Sequence, residues 1–190
     1  CTAVSLSGNI TVNPISTLTL TTGTANQTVC AGTAISNTVY TWGGSATDVT
    51  VTNTIGLTVT KNVAAKTVTI SGTPTGGGTY SVVTTGHTSP CTAVSLSGTI
   101  TVNPIATLAL TTGTADQSVC AGTAISSTVY TWGGSATDVT VTNTIGLTVV
   151  KNATAKTVTI SGTPTAGGTY SVATTGQTSP CAAISLSGTI

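Results

Sequence analysis

The sequence predicts an all-β chain built as a linear array of antiparallel β-sandwich domains. Three observations support this reading. Residues 1–90 return as residues 91–180 with only 12 positions changed, and a third copy begins at Cys181. A long, fixed period marks one folded unit reused along a line. Threonine fills 50 of the 190 positions, and with Val and Ile it makes the chain rich in β-branched residues, which suit a pleated, half-buried surface. Finally, stretches such as Val68-Thr69-Ile70 and Thr38-Val39-Tyr40 alternate apolar and hydroxyl side chains. That period of two belongs to a strand with one buried face, and no segment has a convincing helical period.

Proline and glycine divide the first period into short strands. A strand over 17–21 ends before Gly23. The next, over 27–30, ends at Ala31-Gly32, and 36–42 ends at Gly43-Gly44. Residues 48–52 run up to Asn53, and 56–61 begins after the turn that follows. Residues 66–71 stop at Gly72-Thr73-Pro74, and 78–85 starts after Gly76-Gly77 and stops at Gly86. The last strand, 93–102, stops at Asn103-Pro104. Seven or eight short strands between turns suggest an antiparallel sandwich. Ninety residues can bury one modest core of Val, Ile, Leu, Tyr and a single Trp.

The repeat is expected to change domain at Val-Asn-Pro, because Pro14 and Pro104 follow a long alternating strand and proline cannot continue a ladder. On this phasing residues 1–13 are the last strand of an upstream domain, 14–103 form one domain, and 104–190 form a second that lacks the end of its last strand. The chain then reads as a window on a longer array.

Charge is nearly absent: four lysines, three aspartates, no Arg and no Glu, for a charged fraction of 4%. Ordinary soluble domains have about 25%. The threonine hydroxyls are the expected source of solubility. No basic stripe is available for nucleic acid. No run approaches the ~18 apolar residues of a membrane span.

The stretch Gly56-Leu57-Thr58 … Thr67-Val68-Thr69-Ile70-Ser71-Gly72-Thr73-Pro74 … Gly78-Thr79-Tyr80-Ser81-Val82 resembles the Ig-like, cadherin-like (PKD-like) tandem repeats of bacterial surface proteins. With Gln27-Thr28-Val29-Cys30 and Gly98-Thr99-Ile100-Thr101-Val102-Asn103, it is similar to the repeats of giant secreted adhesins and surface filaments of the Bacteroidetes group. The resemblance covers the whole period in both copies. It implies tandem Ig-like sandwiches in an extracellular, cell-surface setting, acting as spacers or adhesion modules. Two departures are plain: Asn53-Thr54-Ile55-Gly56 stands where such repeats often carry Leu-Pro-x-Gly, and the acidic calcium ligands of cadherins are missing.

Cysteines stand at positions 1, 30, 91, 120 and 181. With no CxxC and one His they do not suit zinc, and disulfides suit an extracellular protein. If each period is an Ig-like domain, pairing Cys91 with Cys120 would span nearly two domains and is rejected. Two schemes remain open. Cys30–Cys91, with its counterpart Cys120–Cys181, keeps the bond inside one domain. Cys30–Cys181 staples one domain to the next and is slightly preferred.

Other candidates are weaker. Trp42 and Trp132, in Tyr-Thr-Trp-Gly-Gly, could each stack on a sugar ring, although a lone Trp in a sandwich is more often core. His87 is Gln177 in the second copy, which argues against catalysis. Asp48 and Asp138 supply one carboxylate per period, too few for an acid–base pair or a calcium cage. The glycosylation patterns at Asn9, Asn26 and Asn152 are not kept between copies. No catalytic constellation or cofactor motif is expected. The sequence therefore points to a structural segment of an extracellular surface filament, stalk or adhesin, whose partners are neighbouring identical repeats or subunits of the same fibre. The alternatives are an array of glycan-binding modules acting by avidity and a pilin-like subunit completed by a donated strand.

Overall fold

Alternation along each strand decides which side chains can face a core. A computed structural model describes all 190 residues and divides them into two compact units, Cys1–Gln27 with Gly32–Thr101, and Thr28–Ala31 with Val102–Ile190.

The first period holds eight strands: β1 (Thr17–Thr22), β2 (Gln27–Cys30), β3 (Ile35–Gly43), β4 (Asp48–Thr52), β5 (Thr58–Asn62), β6 (Thr67–Gly72), β7 (Gly78–Thr85) and β8 (Ser95–Asn103). They form two four-stranded sheets, ordered β1-β3-β6-β5 and β2-β8-β7-β4. Every second residue turns inward: Thr38, Tyr40 and Trp42 on β3, Val68 and Ile70 on β6, Tyr80, Val82 and Thr84 on β7. On the outer faces hydroxyls pair across strands, as Thr21 with Thr41 at 3.2 Å and Thr79 with Thr99 at 3.3 Å. Such cross-strand pairs stabilise a sheet where charged pairs are scarce.

The second unit repeats the plan with β9 (Ala106–Thr112), β10 (Ile125–Gly134), β11 (Asp138–Thr142), β12 (Thr148–Asn152), β13 (Thr157–Gly162), β14 (Thr169–Thr175) and β15 (Ser185–Thr189). Its sheets are β12-β13-β10-β9 and β11-β14-β15. Tyr130, Trp132, Val139, Val158, Ile160, Tyr170 and Val172 form its core.

The structure differs from the sequence reading in several places. Residues 1–13, expected as a strand, carry none, and Leu6 and Ile10 are 97% and 90% exposed. Their counterpart β8 is a strand because β7 hydrogen-bonds it from Gly78–Ile100 to Val83–Ser95, and no strand offers residues 1–13 such an edge. The expected strand 56–61 starts late, at Thr58, because Leu57 N donates to Thr54 O and closes a turn in which Ile55 and Gly56 have φ of 48° and 80°. Last, the counterpart of β2, residues 117–120, is not a strand in the second unit.

Candidate functional site

The chemistry of this chain concentrates at its cysteines, so the site is built from them. Cys181 ends a turn that holds a cis Ser179–Pro180 peptide. Cys181 N donates to Thr178 O at 3.0 Å, and Asn103 Nδ2 donates to Ser179 O at 2.9 Å. Against this turn lies Thr28–Ala31, a segment that belongs to the same compact unit. Ala31 N donates to Asn103 O at 2.8 Å. Cys30 and Cys181 are joined by a disulfide with their Cα atoms 5.5 Å apart, 151 residues apart in the chain. Cys181 is 8% exposed.

The structure contains neither Cys30–Cys91 nor Cys120–Cys181, since Cys1, Cys91 and Cys120 are free. Cys91 sits in the turn that matches Cys181. Its Sγ lies 3.3 Å from Pro14 O, and Asn13 Nδ2 donates to Ser89 O at 3.1 Å, as Asn103 does to Ser179. Cys1 and Cys120 are exposed.

A disulfide stabilises mainly by restricting the unfolded chain, and more for longer loops. For a loop of this length the chain-entropy relation gives about 5 kcal/mol. The closed loop holds residues 31–180, so it includes Gly32–Thr101 of the first unit and most of the second, and leaves out Cys1–Gln27.

The tryptophans are a correction. Trp42 and Trp132 are each 2% exposed, buried among the inward faces of β3 and β10. Neither indole presents a face to a sugar. Their position follows from the alternation that also buries Tyr40 and Tyr130 two residues earlier.

The remaining candidates have structural partners. Asp48 accepts two hydrogen bonds from Lys61 Nζ at 3.0 and 2.9 Å, and Asp138 is paired likewise with Lys151. The lysine, then a backbone N–H, holds each carboxyl below its ordinary range. His87 buries Nδ1 and Gln177 buries Oε1, neither with a partner. The structure gives the imidazole no hydrogen-bonded role that the amide loses. Asn26 Oδ1 and Asp116 Oδ1 both accept from a backbone N–H at 2.8 Å, from Thr99 and Thr189, which explains how the two residues interchange. No cluster of three or more His, Cys, Asp or Glu side chains exists.

Two features carry no local sequence signal. Tyr40 and Tyr80, forty residues apart, meet edge to face with hydroxyls 3.0 Å apart, and Tyr80 also donates to Ala25 O. Burial, then the contact with Tyr80, raises the Tyr40 phenol far above its ordinary value. Gln27 bonds Thr24 O, Ser36 O, Thr38 Oγ1 and Ser36 N. Both arrangements recur in the second unit.

No family model matches the sequence, and no curated protein matches it. Solved structures do match. A titin I-band fragment superposes with a TM-score of 0.51 at 12% identity, over 95% of this chain and 65% of that one. A variant of three titin Ig domains with Glu-to-Ala changes gives 0.51 at 12% identity, over 94% and 65%. The fold is Ig-like. The chain spans 65% of the length of each fragment. At 12% identity the likeness establishes the architecture, and the chain's role has to be argued from its own residues. No helix is long and apolar enough to cross a membrane.

Proposed function

We propose that this chain is a structural segment of an extracellular, cell-surface filament, stalk or adhesin, in which Ig-like units follow one another in register. The observation that supports it best is the repeat itself: two units of the same fold from periods that differ at only 12 of 90 positions. Near-identical units suit reach and mechanical continuity better than distinct binding sites. The Cys30–Cys181 disulfide adds a covalent limit to extension, and disulfides persist in oxidising, extracytoplasmic settings. The outer faces carry paired hydroxyls and only seven formal charges, so they offer little for non-specific electrostatic attachment. The Ile-Ser-Gly-Thr-Pro and Gly-Thr-Tyr motifs, and their likeness to repeats of Bacteroidetes-type surface adhesins, favour the same reading.

A second reading, the strand-donating subunit, has its own support. Residues 5–13 repeat β8 with a single change, yet they lie unpaired with their apolar side chains exposed. A strand of that pattern is ready to complete another sheet. The glycan-binding array has lost its best residues to the core, because Trp42 and Trp132 are buried.

Antibodies raised against the 190-residue protein test the proposal on unpermeabilised source cells. Labelling along extended surface appendages is the expected result. Labelling confined to permeabilised cells would overturn it.

A further inference from the structure

The two periods differ at so few positions that a cluster of changes is informative, and three of the twelve fall on one hairpin. The turn between β5 and β6 reads Asn62-Val63-Ala64-Ala65-Lys66, and the turn between β12 and β13 reads Asn152-Ala153-Thr154-Ala155-Lys156. Thr60 in β5 also becomes Val150 in β12. The second turn thereby gains Asn-x-Thr, the acceptor pattern for an N-linked sugar, which the first turn lacks.

The structure presents the pattern as an acceptor requires. Asn152 ends β12, and residues 151–156 are all exposed. Asn152 Oδ1 accepts from Ala155 N at 3.0 Å, as Asn62 Oδ1 does from Ala65 N. The amide is thus held by its oxygen, while its Nδ2 and the Thr154 hydroxyl face solvent without protein partners. A sugar on Nδ2 leaves the bond from Ala155 intact. The pattern at Asn26 is placed differently, because its Thr28 lies within strand β2 rather than in a turn.

The other changes fall on the same face. Side chains two apart on a strand share a face, so Val150, 56% exposed, stands beside Asn152. The row of residues paired across the sheet from Asn152 runs through Thr157 and Thr131 to an exposed Ala109. Thr60 and Thr19 hold the places of Val150 and Ala109 in the first unit. Two hydroxyls are therefore missing beside Asn152, where those of a sugar would cover exposed apolar carbon. Val63, 64% exposed in the first turn, gives way to the smaller Ala153 next to the attachment point.

We infer that Asn152 carries an N-linked glycan, transferred by a glycosyltransferase of the source cell from a sugar activated as a glycosyl diphosphate. The inference rests on the extracellular reading above. A surface glycan is bulky and solubilising, which suits a chain with only seven formal charges.

In the transfer, a bond forms between Asn152 Nδ2 and the anomeric carbon as the bond from that carbon to the diphosphate oxygen breaks. Nδ2 gives up one proton. The diphosphate leaves with the bonding electron pair, and no oxidant or reductant takes part. Lipid-linked and nucleotide-linked donors share this chemistry.

The test takes the protein from its source cells, reduces and denatures it, and cleaves it with trypsin. Mass spectrometry then reads peptide 152–156 against its counterpart 62–66. Sugar mass on Asn152 beside a bare 62–66 peptide is the expected result. A single sugar points to the nucleotide-linked donor, and a preformed oligosaccharide to the lipid-linked one. Thr154→Ala should abolish the modification and Thr154→Ser should keep it, while Ala64→Thr should install a second glycan at Asn62. These changes lie in exposed turns and leave the core untouched. A bare 152–156 peptide would overturn the inference, as would sugar that fragments from Thr154 or a glycan that survives Thr154→Ala. Surface labelling of cells whose 152–156 peptide is bare would sink the glycan and leave the fibre reading standing. Labelling confined to permeabilised cells would sink the fibre reading itself.

Discussion

The turns at Cys91 and Cys181 are built alike and end differently. Each has a cis Ser–Pro peptide, an Asn side chain bonded to the Ser carbonyl, and a cysteine one residue on. Cys181 is buried and bonded, whereas Cys91 is half-buried and free. Residues 5–13 and 95–103 teach the same lesson, since they differ only at Asn9 and Thr99. Ile100 is 1% exposed between strands, and Ile10 stands in solvent. In this chain the local sequence sets what a segment can become. The neighbour that reaches it decides what it is.

The largest effect expected from breaking that comparison lies at the disulfide. Cys181→Ser should lower the stability of the second unit by about 2–5 kcal/mol, as loss of a native disulfide does. Cys91→Ser, at the matching turn, should change stability by less than about 0.5 kcal/mol. Calorimetry of both variants, with and without reductant, checks the difference, and equal losses would contradict it. Trypsin then sharpens it. Cleavage after Lys61, Lys66, Lys151 and Lys156 leaves Cys30 and Cys181 in separate peptides, and the unreduced digest should join 1–61 to 157–190 in protein carrying Cys1→Ser.

The β8 comparison comes next. Ile100→Ala should cost about 2–5 kcal/mol through the cavity it leaves, whereas Ile10→Ala should stay within about 0.5 kcal/mol. Denaturant unfolding read on the first unit checks both. Tyr80→Phe and Tyr170→Phe remove a hydroxyl that bonds both a tyrosine and a backbone carbonyl. Each should cost about 1–3 kcal/mol. Here the two units should agree, because their tyrosine pairs have matching geometry.

The smallest effect is electrostatic. Lys61 lowers the folded-state pKa of Asp48, and Lys151 that of Asp138. Their stabilisation is therefore present above the unfolded carboxyl value of about 3.9 and is lost as pH falls through the folded one. Both pairs are solvent-exposed, so each is worth only about 0.2–1 kcal/mol. Asp48→Asn and Asp138→Asn should remove that much near neutrality and nothing at pH below the folded value.

Much of the fold could be read in the sequence, because Pro, Gly and alternation are local signals. Strand 36–42 is observed as Ile35–Gly43, 48–52 and 78–85 match, and the burial of Trp42 follows from its place in the alternation. What could not be read depends on distant neighbours. Alternation marks 1–13 as a strand but cannot supply the edge that would pair it. The spacing of five cysteines left two schemes, because the choice turns on where Thr28–Ala31 packs. Tyr80 meets Tyr40 and Ala25 across 40 and 55 positions, and Gln27 reaches Thr38 across 11, through turns that no short pattern encodes.

Stretching single molecules from residue 1 to residue 190 tests most directly whether the disulfide limits extension. In the oxidised protein the Cys30–Cys181 bond should shield the residues between them, 31–180. Unfolding should then add length only from the residues outside the loop, 1–29 and 182–190. Under reductant the same chain should lengthen by roughly 500 Å more, at about 3.3–3.6 Å per residue, in two unfolding events. Equal extension with and without reductant would contradict the account.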